Sequence, residues 1–258
     1  MTNIFDTHAH YDDEAFDADR DALLDALPGR GVAYVVNCGC SVRSCESTLA
    51  LAARYDWIYA ACGIHPEDCE AFGSIDDLTA RMLPFWQEKK CVAIGEIGLD
   101  YHYDIDKPTQ IAFFEAQLRM SVELGLPVII HDREAHGDTM ELLRKYRPKG
   151  VLHCFSGSAE MAEEAVRLGM YIGFGGAVTF KNARKPLEAA AAVPVDRLLL
   201  ETDCPYMAPV PYRGKRCDSS LIPLCAEKIA PLHAMSLPEL LDVTCQNAKM
   251  LFGISVPE

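Results

Sequence analysis

Histidine and carboxylate residues follow five separate apolar segments of this 258-residue sequence. Asp6, His8 and His10 alternate along the first segment, so in a β-strand their side chains would share one face. Imidazole nitrogen and carboxylate oxygen are donors that suit Zn²⁺, Mn²⁺ or Ni²⁺. The residue types at these positions therefore indicate metal chemistry. The other four segments lead into Glu96 and Asp100, His131 and Asp132, His153, and Glu201 and Asp203.

A single histidine at a strand end is more often a hydrogen-bonded core residue than a metal ligand. The coincidence at five segments favours ligands, because every buried polar group needs a partner and a core has little reason to collect such groups. A pair of cations that share a carboxylate would supply those partners, polarise a substrate oxygen and generate hydroxide at neutral pH. We therefore expect a hydrolase with a two-metal centre.

The apolar segments that precede these residues are short and recur at intervals typical of strand–helix units. Such alternation implies parallel strands joined by right-handed crossovers. Eight segments are predicted as strands, and their bounds are 4–7, 33–38, 58–62, 91–95, 128–130, 151–154, 170–174 and 198–201.

Eight units in a chain of this length predict an α/β fold, a single (β/α)8 TIM barrel domain over residues 1–258. The alternative is a doubly wound open sheet. No linker, low-complexity segment or sharp change of composition divides the chain. In a barrel, the C-terminal ends of the strands meet on one face, where active sites lie. The metal-binding residues would therefore converge there.

Amphipathic segments of helical period lie between the predicted strands. Ser236 with Glu239 fits a capping box before the last helix. Residues 111–124 are predicted as a helix whose apolar face carries Ile111, Phe114, Leu118 and Val122.

The charge balance limits the function classes. Asp and Glu number 38 against 24 Lys and Arg, which gives a formal net charge of −14 and argues against binding nucleic acid by bulk electrostatics. Eleven cysteines, no signal-peptide pattern and no apolar run of about 18 residues predict reduced thiols in the cytoplasm and no membrane association. No obligate protein partner is evident.

Three cysteines lie close together after the second predicted strand. Cys38, Cys40 and Cys45 could form a thiolate metal site, but the paired CxxC spacing of such sites is missing. We interpret them as small core hydrophobic residues.

Several motifs together resemble the TatD family of metal-dependent deoxyribonucleases. Each motif is weak alone, since His-x-His occurs in many metallohydrolases, but their order and spacing are specific and span nearly the whole chain. They are Asp-Thr-His-Ala-His at 6–10, Gly-Ile-His-Pro at 63–66, Gly-Glu-Ile-Gly-Leu-Asp-Tyr at 95–101, Ile-His-Asp-Arg at 130–133, His-Cys-Phe-Ser-Gly at 153–157, Glu-Thr-Asp-Cys-Pro-Tyr at 201–206 and Ala-Pro-Val-Pro-Tyr-Arg-Gly-Lys-Arg at 208–216.

The resemblance implies a TIM barrel of amidohydrolase type with two divalent metal ions, Zn²⁺, Mn²⁺, Ni²⁺ or Mg²⁺. Glu96 and Asp203 would be the catalytic residues, Glu96 by bridging the ions and Asp203 by positioning or deprotonating water. The ligands it implies are His8, His10 and Asp203 for one ion and His131 and His153 for the other, with Glu96 shared by both.

One residue departs from the family pattern. Cys204 follows Asp203 at a position where relatives often carry serine. A hydrolase that activates water with metal ions needs no covalent nucleophile, so we interpret Cys204 as a small substitution.

Further residues beside the motifs are expected to support ligands or contact substrate. Glu201 is expected to orient a ligand, although it could equally be a polar group of the barrel interior. His65 and Arg133 are expected to contact phosphate, with a surface ion pair as the alternative for Arg133. Tyr103 belongs to a set of aromatic residues of which about two could stack on bases.

Two basic clusters follow the last two predicted strands within an otherwise acidic chain. We interpret them as a local phosphate track, although such clusters are usually solvated surface. They consist of Lys181, Arg184 and Lys185, and of Arg213, Lys215 and Arg216.

These features predict a divalent-metal-dependent deoxyribonuclease that acts on DNA 3′ ends or single strands through a metal-bridging hydroxide. The alternative is hydrolysis of a small-molecule ester, amide or phosphodiester at the same centre, because fold and metal site do not fix the substrate. A purely structural metal site is disfavoured, since all six ligand positions are filled. The charge further predicts weak, salt-sensitive binding of strand ends.

Overall fold

The structure is a computed structural model that describes residues 3–254. Eight strands and nine α-helices alternate along the described residues, with short 3₁₀ turns between them. The strands are β1 Ile4–Ala9, β2 Val32–Gly39, β3 Ile58–Cys62, β4 Cys91–Asp100, β5 Val128–Arg133, β6 Gly150–Leu152, β7 Met170–Phe174 and β8 Leu198–Leu200. The helices are α1 Arg20–Ala26, α2 Val42–Arg54, α3 Ile75–Trp86, α4 Lys107–Leu124, α5 His136–Tyr146, α6 Ala159–Arg167, α7 Arg184–Ala192, α8 Ile222–Ile229 and α9 Leu237–Phe252.

The strands form one parallel sheet in sequence order from β1 to β8. The first and last strands approach each other, because the Thr7 hydroxyl donates to the Leu200 carbonyl at 3.1 Å and Ala9 forms a parallel bridge with Cys204. The sheet is therefore a nearly closed barrel. This confirms the predicted TIM barrel and excludes the open sheet, while the domain bounds 1–258 stay a prediction.

The predicted strands differ from the observed ones mainly at their C-terminal ends. β4 continues five residues beyond the predicted end at Gly95 and pairs with β5 as far as Asp100 and Arg133. β6 and β8 end earlier than predicted, at Leu152 and Leu200. The backbone leaves the extended conformation soon after both ends, where Cys154 has φ 43° and Asp203 has φ 62°. The ligand candidates His153 and Asp203 therefore lie on turns that follow their strands.

Two apolar clusters occupy alternate faces of the strands. Ile129, Val151 and Leu199 belong to the smaller cluster, which Phe252 of α9 joins. His131 lies two residues further along β5, and His153 and Glu201 lie two residues further along the chain, directly after β6 and β8. Because strand side chains alternate between faces, these polar residues continue the face of the smaller cluster. The barrel interior is thus apolar below and polar at the C-terminal ends of the strands.

Helix α4 turns a different face to the core than the apolar period predicts. Phe114 and Leu118 are buried as expected, but Val122 is 53% exposed, so that part of the prediction was wrong. The buried face instead includes Gln110 and Gln117, whose amides bind backbone groups of neighbouring segments. These hydrogen bonds offset the free-energy cost of burying the two polar side chains. A search for apolar periodicity cannot detect buried polar residues of this kind.

The capping box predicted before the last helix is confirmed. The backbone N–H of Ser236 donates to the Glu239 carboxylate at 2.8 Å, and the Glu239 N–H donates to the Ser236 hydroxyl. No helix within residues 3–254 has the length and apolar character needed to cross a membrane.

Candidate metal centre

Glu96 is the centre of a ligand cluster at the C-terminal ends of the strands. Its buried carboxylate presents its two oxygens to two different groups of side chains. In the first group, Oε2 lies 3.3 Å from His8 Nε2 and 3.5 Å from His10 Nε2. Asp203 completes this group, with Oδ1 3.7 Å from His8 Nε2 and 3.4 Å from His10 Nε2.

The second group faces the other oxygen, Oε1 of Glu96. His153 Nε2 lies 2.8 Å from it and His131 Nδ1 lies 3.0 Å from it, and the two nitrogens are 3.3 Å apart. Nε2 of His65 lies 3.7 Å from the same oxygen. The structure thus brings the other five expected ligands together around the Glu96 carboxylate and places His65 beside them.

The donor set and its spacing fit divalent ions. Donors that share one ion at about 2.0–2.2 Å lie about 2.9–3.6 Å apart, depending on the coordination geometry. The separations within the two groups run from 2.8 to 3.7 Å, close to this range. Mixed imidazole and carboxylate donors suit Zn²⁺, Mn²⁺ and Ni²⁺.

Cys38 on β2 contacts the outer ring nitrogens of both histidines in the first group. Its carbonyl lies 2.9 Å from His10 Nδ1 and its Sγ lies 3.5 Å from His8 Nδ1. An outer partner fixes the tautomer of a histidine and leaves the inner nitrogen free to bind a metal. Cys38 is fully buried, so the expected core role holds, with an orienting role in addition.

Asp100 provides the corresponding partner for His131 in the second group. Its Oδ2 lies 2.9 Å from His131 Nε2. Gln110 of α4 fixes Asp100, since its amide accepts from the Asp100 N–H at 2.8 Å and donates to the Asp100 carbonyl at 2.9 Å. The sequence places Asp100 among the carboxylates that follow the fourth apolar segment, but no specific role was predicted for it. Its position on β4, four residues after Glu96 and therefore on the same face, was the available signal.

Glu201 lies behind His153. Its Oε1 is 3.7 Å from His153 Nδ1 and accepts a hydrogen bond from the Cys154 N–H. Oε2 of Glu201 and Nδ1 of His153 are buried without a hydrogen-bond partner among the described residues. Gly173 leaves room for this carboxylate, because a Cβ there would lie 2.3 Å from Oε2. The structure thus places Glu201 where the orienting role was expected.

The Asp6 side chain lies apart from those of His8 and His10, which follow it along the chain. Its carboxylate accepts hydrogen bonds from the Thr202 hydroxyl at 2.5 Å, the Ser219 hydroxyl at 2.6 Å and the His8 N–H at 3.2 Å. Burial outweighs these bonds and raises the pKa of Asp6 to about 7. Asp6 therefore joins β1 to the chain that follows β8 and lies outside the ligand group.

The electrostatics of the cluster favour an ionised Glu96. Burial alone would raise its pKa, but the charges of His153 and His8 and the hydrogen bonds from His131 and His153 hold that pKa well below its usual range. Burial outweighs the attraction of Glu96 and lowers the pKa of His65 to about 4, so His65 is neutral at pH 7. The cluster therefore offers one bridging anion and a neutral imidazole beside it.

A cavity of about 650 Å³ opens over the ligand cluster. Its lining is strongly acidic, and Arg133 is the single Lys or Arg residue among the lining residues. A neighbouring cavity of about 740 Å³ shares Asp12 with it but contains none of the ligand residues. The carboxylates in the lining are Asp12, Asp13, Glu67, Asp68, Glu96, Asp100, Asp132 and Asp203.

Three of the expected substrate residues line this cavity. Arg133 lies over the Tyr103 ring, with its guanidinium carbon 5.5 Å from the ring centroid, and forms no ion pair within residues 3–254. His65 lies deeper, and helix α4 holds its segment. The Gln117 amide accepts from the Ile64 N–H at 2.9 Å and donates to the Ile64 carbonyl at 3.1 Å.

The other three expected substrate residues lie outside the cavity. Arg213 stacks on Phe180, and Arg216 forms a bidentate ion pair with Asp19 at 2.6 and 2.7 Å. Lys215 is exposed on the same segment. The other part of the predicted phosphate track, Lys181, Arg184 and Lys185, is also absent from the cavity lining, and Arg184 pairs with Glu188. The structure therefore brings neither cluster of that track to the metal centre.

Comparisons with known proteins place the chain in a family. A family model described as TatD related DNase matches residues 5–253. An uncharacterized metal-dependent hydrolase, YabD, of Bacillus subtilis (strain 168) is 41% identical over 256 residues, which cover 98% of this chain and all of that protein. A protein named 3′-5′ ssDNA/RNA exonuclease TatD, of Cronobacter sakazakii, is 35% identical and covers 96% of this chain and 97% of its own length. The crystal structure of YjjV, a TatD homologue of Escherichia coli K12, superposes with a TM-score of 0.88 at 30% identity, over 98% of this chain and 99% of that chain.

Fold, ligand cluster and comparisons define a metal-dependent hydrolase built on a TIM barrel. The chain belongs to the TatD-related DNase family. This confirms both the resemblance and the expected function class.

Proposed function

We propose that this enzyme hydrolyses phosphodiester bonds of single-stranded DNA from the 3′ end, using two divalent ions. The observation that carries the proposal is the buried Glu96, whose two oxygens face two separate groups of nitrogen and oxygen donors beneath an open cavity. The relatives named as 3′-5′ ssDNA/RNA exonucleases support the choice of substrate.

The residues divide between the ions according to the oxygen of Glu96 that they face. His8, His10 and Asp203 would hold one ion, and His131 and His153 the other, with Zn²⁺, Mn²⁺, Ni²⁺ or Mg²⁺ as candidate ions. When bound, such a pair polarises a phosphoryl oxygen and makes water a nucleophile at neutral pH.

Asp203 is the residue placed to orient water and accept its proton. Its side chain is 21% exposed, whereas that of Glu96 is 5% exposed. Burial would raise the pKa of Asp203, but a hydrogen bond from His10 and the charges of His8 and His153 lower it below its usual value. The carboxylate is therefore ionised at neutral pH, and its backbone N–H is fixed by the His8 carbonyl at 2.9 Å.

The acidic lining indicates how substrate is selected. Arg133 is placed to contact one phosphate and Tyr103, 46% exposed beside it, to stack on a base. Because the remaining charged groups repel a polyanion, binding depends on the metal ions and few contacts. A strand end satisfies that requirement better than a long duplex.

Asp203→Asn tests the proposal. We expect it to lower the rate of single-strand cleavage by about 10²–10⁴-fold, because the amide cannot accept a proton. Stepwise shortening of 5′-labelled oligonucleotides from the 3′ end measures the rate, with a chelator control and circular dichroism to confirm folding. Asp196→Asn, an exposed aspartate outside the cavity, is the matched control.

An Asp203→Asn protein with undiminished, chelator-sensitive cleavage would contradict the role of Asp203. The substrate panel also includes a blunt duplex and a small phosphodiester. The small-molecule alternative is favoured by the single arginine in the cavity lining, and turnover of the small diester without cleavage of any oligonucleotide would support it over the nuclease.

A further inference from the structure

Cys40 lies at the edge of the ligand cluster, directly after β2. Its Sγ is 3.5 Å from Glu96 Oε2 and 3.9 Å from His10 Nδ1. Of the eleven cysteines, nine are buried, and the remaining two, Cys40 and Cys154, both line the cavity. His10, Cys40 and Glu96 each place a ligand atom within 4.8 Å of the others.

We propose that the thiolate of Cys40 is a further ligand of the ion held by His8, His10 and Asp203, a proposal that rests on the proposed function. Glu96 Oε2, the oxygen nearest to Cys40, is also the oxygen that faces His8 and His10. The thiol therefore lies on the side of Glu96 that faces the first group of donors.

The distance between the sulfur and the carboxylate oxygen fits a shared ion. With Zn–S at about 2.3 Å and Zn–O at about 2.0–2.2 Å, two ligands at an angle of about 90–110° around the ion lie about 3.0–3.7 Å apart. Sγ of Cys40 and Oε2 of Glu96 are 3.5 Å apart. The corresponding separation between Oε2 and His8 Nε2 is 3.3 Å. The sulfur of Cys40 and the imidazole nitrogen of His8 therefore lie at similar distances from this oxygen.

The backbone of Cys40 is fixed from both sides. Its N–H donates to the Ser44 hydroxyl at 3.3 Å, and that hydroxyl donates to Asp12 at 2.6 Å. The Cys40 carbonyl accepts from the His65 N–H at 2.8 Å. The backbone that carries the thiol is therefore already ordered, and the chain loses little conformational freedom when the sulfur binds an ion.

Coordination replaces the S–H proton by the metal, and the proton passes to solvent. A thiolate is a soft ligand that favours Zn²⁺ over Mn²⁺ or Mg²⁺. Cys40 would therefore make this centre more selective for zinc than a set of imidazole and carboxylate donors alone. The competing arrangement is a thiol that stays protonated and donates to Glu96 Oε2.

The absorption spectrum of the Co²⁺-substituted protein separates the two arrangements. We expect visible d–d bands from cobalt in the cluster together with a near-ultraviolet thiolate-to-cobalt charge-transfer band. Cys40→Ser should lose the charge-transfer band and keep the d–d bands and the bound cobalt. Cys154→Ser, the matched control in the same cavity, should keep both.

Bound cobalt without a charge-transfer band in the unmodified protein, or a band that survives in Cys40→Ser, would overturn the proposal and leave the proposed function intact. Failure to bind cobalt at all would overturn both. Competition between metals gives a second readout, because Cys40→Ser should weaken Zn²⁺ binding by about tenfold or more and Mn²⁺ binding much less. Equal losses for the two ions would also contradict a thiolate ligand.

Discussion

The carboxylate of Asp100 lies behind His131, on the side of the ring away from Glu96. Because Asp100 and Glu96 contact different nitrogens of the same ring, the effect of Asp100 on a proposed metal ion must pass through the imidazole. Partners of this kind hold the ring in the orientation that binds the ion. Asp100 is therefore a positioning residue, and metal content is the appropriate measure of its role.

Asp100→Ala should lower metal affinity at the second donor group by about 10–100-fold. Asp100→Asn should lose less, because the amide oxygen still accepts from His131. Isothermal titration with Mn²⁺ and metal analysis after dialysis measure the change. Asp104→Ala, an exposed aspartate four residues along the chain, is the control. Full metal occupancy in Asp100→Ala at low free metal would refute the role.

Individual site residues were predictable from sequence where the strand pattern carried the information. Glu96, His131 and His153 follow apolar segments and are found together, as expected. Asp100 shares strand parity with Glu96, but its contact with His131 crosses from β4 to β5, and nothing in the local sequence shows that contact. Cys40 approaches Glu96 across 56 positions of sequence, and no local spacing marks that contact.

Helix α4 shows at the level of elements how polar side chains support the site. Gln117 is buried and holds both backbone groups of Ile64, the residue before His65. The apolar period instead predicted Val122 on the buried face, since periodicity counts apolar residues and ignores polar residues whose hydrogen bonds are satisfied inside.

Gln117→Leu should lower the free energy of unfolding by about 1–3 kcal/mol, because it leaves the buried N–H and carbonyl of Ile64 without partners. Urea unfolding followed by circular dichroism measures the change. Val122→Ala on the exposed side of the same helix should shift the value by less than about 0.5 kcal/mol. Similar losses for both variants would show that the amide contributes nothing specific.

The contact between β4 and β5 at Gly98 sets the position of His131. Gly98 has φ 146°, and a Cβ there would lie 1.9 Å from the His131 carbonyl oxygen. No rotamer change can relieve a contact with backbone. The two strands must separate at this point if any side chain is added.

Gly98→Ala should therefore displace His131 and reduce both metal binding and cleavage, by an expected factor of about 10² for a shift near 1 Å. Gly137→Ala, in helix α5 with open space around it, should leave both unchanged and gain about 0.5–1 kcal/mol of stability. Metal titration and cleavage assays on the two variants provide the comparison. Unchanged metal affinity in Gly98→Ala would contradict the packing argument.

The barrel as a whole was predictable because strand and helix periods repeat eight times without interruption. The ends of β4, β6 and β8 were not predictable, because a polar residue after an apolar segment can be either the last residue of the strand or the first residue of the loop. The predicted clustering of the ligand residues depends only on which end of the barrel they reach. Errors of several residues in the strand bounds therefore did not change it.

The whole molecule carries a formal charge of −14, and two divalent ions would reduce it to −10. Much of that charge is concentrated in the cavity lining, where eight carboxylates and a single arginine lie close together and the carboxylates repel one another. Bound ions relieve this repulsion in the folded state only, because the ligands are far apart in the unfolded chain. Metal binding must therefore stabilise the fold.

Saturation of one site at about one hundred times its dissociation constant contributes about 2.7 kcal/mol. For a domain of this size, that free energy corresponds to a rise of about 5–10 °C in Tm. Differential scanning fluorimetry of the chelator-treated protein, before and after addition of Zn²⁺ or Mn²⁺, measures the shift. Glu96→Gln removes the charge shared by both donor groups and should abolish most of it, whereas the surface variant Asp196→Asn should retain it. An equal rise in Glu96→Gln would mean that the stabilising ions bind elsewhere, and the two-ion centre would have to be abandoned.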